Sequence, residues 1–264
     1  MLVKRELRVN LGNFIIWFLI AAGMFALIFL LYPYIIEGNN GEMIDEMIKI
    51  FPESVLKAFN MDIASLDSAF GWLKSEGFVI ILLITGCYSA ILGSNIIFKE
   101  ENDKTIEYLN SLPISRSEIV IKKFLVGLFY VVMLVLLTAI SNYIFLALTS
   151  DIKLSEYWLL AISPLFSSIV LYALSIFIAS FMHKSKKMMG ISLGIVFVSY
   201  FLNMFAGLSE KIEFCKYFSI FTLADTRNII ANNEMSIIYV FIAIILTAIF
   251  ALAALFVYNK KELV

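Results

Sequence analysis

The chain has 264 residues, of which 61% are apolar and 16% charged, with a mean hydropathy of +0.93. Soluble domains run at about 45–50% apolar and about 25% charged, so this composition argues for an integral membrane protein. The net charge of −1 gives no basis for a nucleic-acid partner, and one histidine, His183, excludes a multi-histidine metal site.

Six stretches carry no Asp, Glu, Lys or Arg: 9–36, 77–98, 124–150, 157–182, 188–209 and 235–259. Each reaches the roughly 20 residues that a bilayer-crossing helix needs. They predict an all-α polytopic fold with six transmembrane helices over about 14–36, 77–98, 124–148, 157–181, 188–207 and 236–258, in one transmembrane domain over 1–264. Lys4, Arg5 and Arg8 precede the first run. A positive leader before an apolar run can mark a signal peptide, but this run exceeds the roughly 7–15 residues of a cleaved signal core and no small-x-small site closes it. It reads as a retained span, and residues 2–13 as a short helix along the inner surface.

The loops set the orientation. The amino end, 99–123, 182–187 and the carboxyl end hold 13 Lys and Arg, whereas 37–76, 149–156 and 208–235 hold 7. Positive charge marks the cytoplasmic side, so both termini and the 99–123 loop are expected inside. The outer loop 37–76 carries eight acidic residues against three lysines. Within it, residues 43–59 have near-helical apolar spacing and predict two short helices at the outer face. Residues 214–224 are too short to cross a membrane but apolar enough to dip into it, as an interfacial or re-entrant helix. Cys87 falls in an apolar run and Cys215 in a loop, so both are expected to be free thiols.

Residues 98–123, FKEENDKTIEYLNSLPISRSEIVIKK, are the long charged segment between the second and third spans. Ile106, Leu109 and Leu112 recur at three-residue spacing, and Glu100 and Lys104 stand in the favourable i, i+4 order. These features predict a short helix over 100–112. Pro113 ends it, because the residue before a proline is pushed out of the helical region. Ser115 and Glu118 have capping-box spacing, and Ile114 and Ile119 occupy the two places of a hydrophobic staple. A second helix is therefore expected to start after Ser115 and climb into the third span. So ordered a corner suggests a docking surface rather than a simple reversal of direction.

Within the spans the polar residues are mild. Ser192, Ser199 and Asn203 share a side of the fifth span and are candidates for lining a pathway, while Gly190 and Gly194 form a small-xxx-small face suited to close helix contact. The chain has no phosphate-binding glycine loop ending in Gly-Lys-Ser/Thr, no HExxH helix and no paired-aspartate motif. Catalytic and metal-binding residues are accordingly none. The spans also lack the intramembrane charges that ion-coupled transporters use as relays.

The run at 100–123 resembles the signature of the ABC type-2 permease family, the membrane subunits of export-type ATP-binding-cassette transporters. Its pattern is Glu-Glu-x-x-Gly-Thr, a Leu-rich turn, Pro-x-Ser-Arg, then Gly-Lys. Glu100, Glu101, Thr105, Glu107, Leu109, Pro113, Ser115, Arg116 and Lys123 match it. Lys104 and Lys122 stand where glycines are usual. The amino-terminal KRELR run, the six spans and PESVLKAF in the first outer loop are also similar. The resemblance implies that the nine matching residues form an ATPase-coupling element, with a cytoplasmic coupling helix between spans two and three. It implies a separate ABC ATPase subunit carrying ATP and Mg, with no cofactor in this chain, and a second permease subunit, identical or related, in the plasma membrane. The expected function is export. The alternatives are a secondary transporter, or a membrane-embedded assembly or sensor protein not driven by ATP.

Overall fold

The computed structural model of the chain describes residues 2–37, 69–102, 114–148, 154–182 and 185–260. Almost all of these are helical, and none is in a strand. Among the described residues, six helices are long and apolar enough to cross a membrane. The first span is Leu2–Glu37, the second Phe78–Asn102, the third Arg116–Ala147, the fifth Ser185–Ala206 and the sixth Ile237–Lys260. The fourth is built from two pieces, Leu154–Ile162 and Pro164–Phe181. The six expected spans are all present. Cys87 and Cys215 are free, as expected.

The second and fourth spans form the centre and are the most enclosed. Around them the first span packs on the third, the fifth on the second, and the sixth on the fourth. The first, fifth and sixth spans leave most of their apolar surface uncovered. Among the described residues, two large clusters make most of the core. One joins Phe25, Phe78, Tyr157, Leu171 and Phe221; the other joins Tyr88, Leu92, Val120, Tyr130 and Tyr172.

Three boundaries differ from expectation, each for a local reason. Residues 2–13 do not form a separate surface helix but continue into the first span, giving a helix of 36 residues. Its first turns have partners inside the protein: Leu2 packs on Ile119, and the Tyr130 hydroxyl donates to Leu7 O. The second span likewise runs on through Glu100 and Glu101 to Asn102, so residues 100–102 extend a span rather than begin a helix. The fourth span breaks at Ser163. Pro164 has no N–H to give to the carbonyl four residues earlier, and that carbonyl, Leu160 O, accepts instead from Ser163 N (3.2 Å) and Ser163 Oγ (2.9 Å).

The 214–224 stretch forms two 3-10 turns, Glu210–Phe218 and Ile220–Ala224. Phe214, Tyr217 and Phe218 are exposed, while Phe221, Leu223 and Ala224 are buried. The second turn therefore dips inwards. Phe221 reaches the second span where Gly86 leaves it room: a Cβ there would lie 2.9 Å from the ring. The short helices expected over 43–59 lie outside the described residues.

Candidate functional site

The corner before the third span is built largely as its spacing predicts. Ser115 has extended backbone and caps the helix, its Oγ accepting from Glu118 N at 3.2 Å. The return bond of a reciprocal box is not formed: the Glu118 carboxylate pairs with Lys122. Ile114 packs against the cluster of Ile119 and Leu2, so the staple has a third member from the first span. Lys122, which replaces a usual glycine, pairs with Glu118 one turn away. Arg116 is exposed at the first helical position. Asn259, near the end of the sixth span, donates to Ser117 Oγ at 2.8 Å. The corner thus sits where the beginnings of the first and third spans meet the end of the sixth. Glu100 and Glu101 lie on the last turn of the second span; Thr105, Glu107, Leu109 and Pro113 lie outside the described residues.

Lys123 is placed differently from Ser115 and Arg116. It is 2% exposed, and its Nζ donates to Ile96 O in the second span at 2.6 Å. A buried ammonium needs such acceptors, because desolvating it without them costs several kcal/mol. The carbonyls of Lys123 and Phe124 accept in turn from the Tyr172 hydroxyl of the fourth span, at 3.3 and 3.1 Å. Tyr172 fits because two neighbours have no side chain. A Cβ on Gly127 would lie 2.0 Å from Tyr172 Oη, and one on Gly93 would lie 2.5 Å from Tyr172 O. Glu6, near the start of the first span, is fully buried. Spans two, three and four are therefore tied one layer beneath the corner. Tyr172, Gly93, Gly127 and Glu6 escape sequence reasoning. The only trace is the pair of glycines inside long spans, and their partner is remote in sequence.

At the opposite end, Ser199 and Asn203 hold the 3-10 turns against the fifth span. Ser199 Oγ accepts from Ile220 N at 2.7 Å, and Ser199 O accepts from Ser219 Oγ at 2.6 Å. Asn203 Nδ2 donates to Thr222 Oγ1 at 3.2 Å, and Asn203 O accepts from Arg227 Nη2 at 2.6 Å. Ser192 is fully buried, and its hydroxyl has no partner among the described residues. A Cβ on Gly190 or Gly194 would meet nothing within 4 Å, so these glycines make no close helix contact among the described residues. Lys216 bonds Glu213 at 2.6 Å. That bond and its charge hold the Glu213 carboxyl below the usual range, with a smaller contribution from Arg227, and the same hydrogen bond raises Lys216. Burial lowers Arg227.

Replacing Ser199 by alanine strips the acceptor from Ile220 N. An unsatisfied buried donor costs about 1–3 kcal/mol, so Ser199→Ala is expected to lower the thermal stability of the purified protein by that order. An unchanged melting temperature would mean that the turn is held by its apolar contacts alone.

A family model described as ABC-2 family transporter protein matches residues 3–263. Comparison with curated proteins gives no match. The family match runs through all six membrane-length helices and includes the capped corner. The chain therefore belongs to the ABC-2 transporter family, and it is a multi-pass membrane permease of an ABC transporter.

Proposed function

We propose that the chain is the permease half of an ABC exporter in the plasma membrane, driven by a separate cytoplasmic ATPase that docks on the corner at 100–116. The observation that carries this reading is the Ser115-capped start of the third span, with Arg116 exposed on it. The Lys/Arg bias supports a cytoplasmic position for this end. A cation at the first helical position opposes the helix dipole, so Arg116 is better explained by a carboxylate, on the ATPase or on a neighbouring Glu side chain, than by helix stability. Glu100, Glu101, Thr105, Glu107, Leu109 and Pro113 complete the surface in this reading. Lys123 acts from beneath it, passing movement of the corner into the second span through Ile96.

ATP and Mg belong to the ATPase, and this chain supplies neither. A second permease, identical or related, completes the pathway. Its natural flank is the fifth span, where Ser199 faces a groove of about 300 Å³ with Gly194, Val198, Leu202 and Phe218, on the same helix as Ser192 and Asn203. Only differential contact between states can swing such an equilibrium, and a few kcal/mol suffices.

The test is on Arg116 and Glu107. Arg116→Ala, Glu107→Ala and the double variant are expected to insert and fold normally. Transport and transport-coupled ATP hydrolysis with the partner ATPase should fall, by about tenfold for loss of one desolvated charge-assisted contact. Wild-type assembly and transport in all three variants would remove the corner as the coupling element. Robust ATP hydrolysis by the purified chain alone would contradict dependence on a separate ATPase.

A further inference from the structure

At the end of the bundle away from Ser115, the fifth span, the two 3-10 turns and the start of the sixth span enclose a half-open cleft of about 200 Å³. Asn203, Glu213, Lys216, Asp225 and Arg227 supply its polar lining, and Phe221 and Tyr239 its aromatic wall. Most of this polar capacity is already used. Lys216 holds Glu213 at 2.6 Å. Asp225 Oδ2 accepts from Ser236 N at 2.7 Å and from Asn228 Nδ2 at 3.2 Å.

Arg227 is the exception. Its Nη2 donates to Asn203 O at 2.6 Å, and among the described residues no carboxylate comes within 4.0 Å of its guanidinium. A guanidinium carries five N–H donors in a rigid fork. A half-buried cation with donors to spare is costly unless an anion completes it. The fork matches the paired oxygens of phosphate and carboxylate, and the aromatic wall beside it suits an attached hydrocarbon.

We propose that this cleft is a binding site for a phosphate or carboxylate group, gripped by the Arg227 guanidinium, the chemistry shared by an anionic lipid headgroup and a small soluble anion. The site is separate from the coupling corner and does not depend on how the ATPase docks.

The full chain is reconstituted in nanodiscs of phosphatidylcholine mixed equally with phosphatidylglycerol, and retained phosphatidylglycerol is counted by native mass spectrometry. In a second arm, inorganic phosphate is titrated against the chain in phosphatidylcholine alone, and the thermal shift is followed. Arg227→Gln retains a donor for Asn203 O but no charge; it should weaken binding about tenfold. Glu213→Gln removes a competing carboxylate of the cleft and frees Lys216; it should tighten binding several-fold. Phosphatidylglycerol retention that Arg227→Gln abolishes, without a phosphate response, assigns the lipid headgroup. A phosphate shift that Arg227→Gln abolishes, without lipid preference, assigns the soluble anion. Absence of binding in both arms, or equal binding by the wild type and both variants, overturns the site.

Discussion

Gly93→Ala is expected to leave little monodisperse protein after extraction from the membrane. The added carbon would lie 2.5 Å from Tyr172 O. That atom is backbone within Pro164–Phe181, so the second and fourth spans must separate to admit it. Overpacking costs about 1–3 kcal/mol and occasionally more, and a rigid obstacle in the most enclosed pair of spans puts this case at the upper end. Gly127→Ala should be severe for a different reason, since the obstacle there is the Tyr172 side chain, with Oη at 2.0 Å and Cζ at 2.4 Å. The two variants are told apart by rescue. Tyr172→Leu should recover much of the melting temperature lost in Gly127→Ala and none of that lost in Gly93→Ala. Wild-type melting temperatures for both glycine variants would show that the spans do not approach this closely.

Lys123→Met should be the most damaging change in the family motif, more so than Arg116→Ala. Methionine has a similar length and suits an apolar interior, so insertion is expected to be normal. What is lost is the bond from Nζ to Ile96 O, worth about 1.5–3 kcal/mol for a charged donor. It is also a direct side-chain tie between the second and third spans beneath the corner. Stability should fall by that order, and transport per folded molecule should fall with it, because the corner can then move without carrying the second span. A lower melting temperature with unchanged transport per folded molecule would reduce Lys123 to a structural lysine.

The spans were legible because a bilayer tolerates no unpaired charge, and runs free of Asp, Glu, Lys and Arg mark them directly. The corner was legible because its cap is local: Ser115, Glu118, Ile114 and Ile119 act within five residues of one another. What escaped depends on which faces meet, and hydropathy does not encode that. Gly190 and Gly194 carry the spacing associated with close contact, yet the close approaches fall at Gly93 and Gly127, opposite a tyrosine dozens of residues away. Glu6 reads as a surface charge in a basic leader, but the first span is long enough to carry it into the packed end of the bundle. The partners of Ser199 and Asn203 lie in turns about twenty residues on, beyond any helical period.

The meeting of Leu2, Ser117, Ile119 and Asn259 has a consequence for the order in which the protein is made. Ser117 and Asn259 are 142 residues apart in the chain. At about 5–20 residues per second, the third span waits on the order of ten seconds for the helix that closes against it. The first span, whose main neighbour is the third, also emerges before the surface that receives it, and spends that interval facing lipid or the insertion machinery. The corner is thus among the last parts of the molecule to be assembled, although its own cap forms early. A partner that binds the finished corner meets only chains whose sixth span has already been synthesised, so truncated translation products would not compete for it.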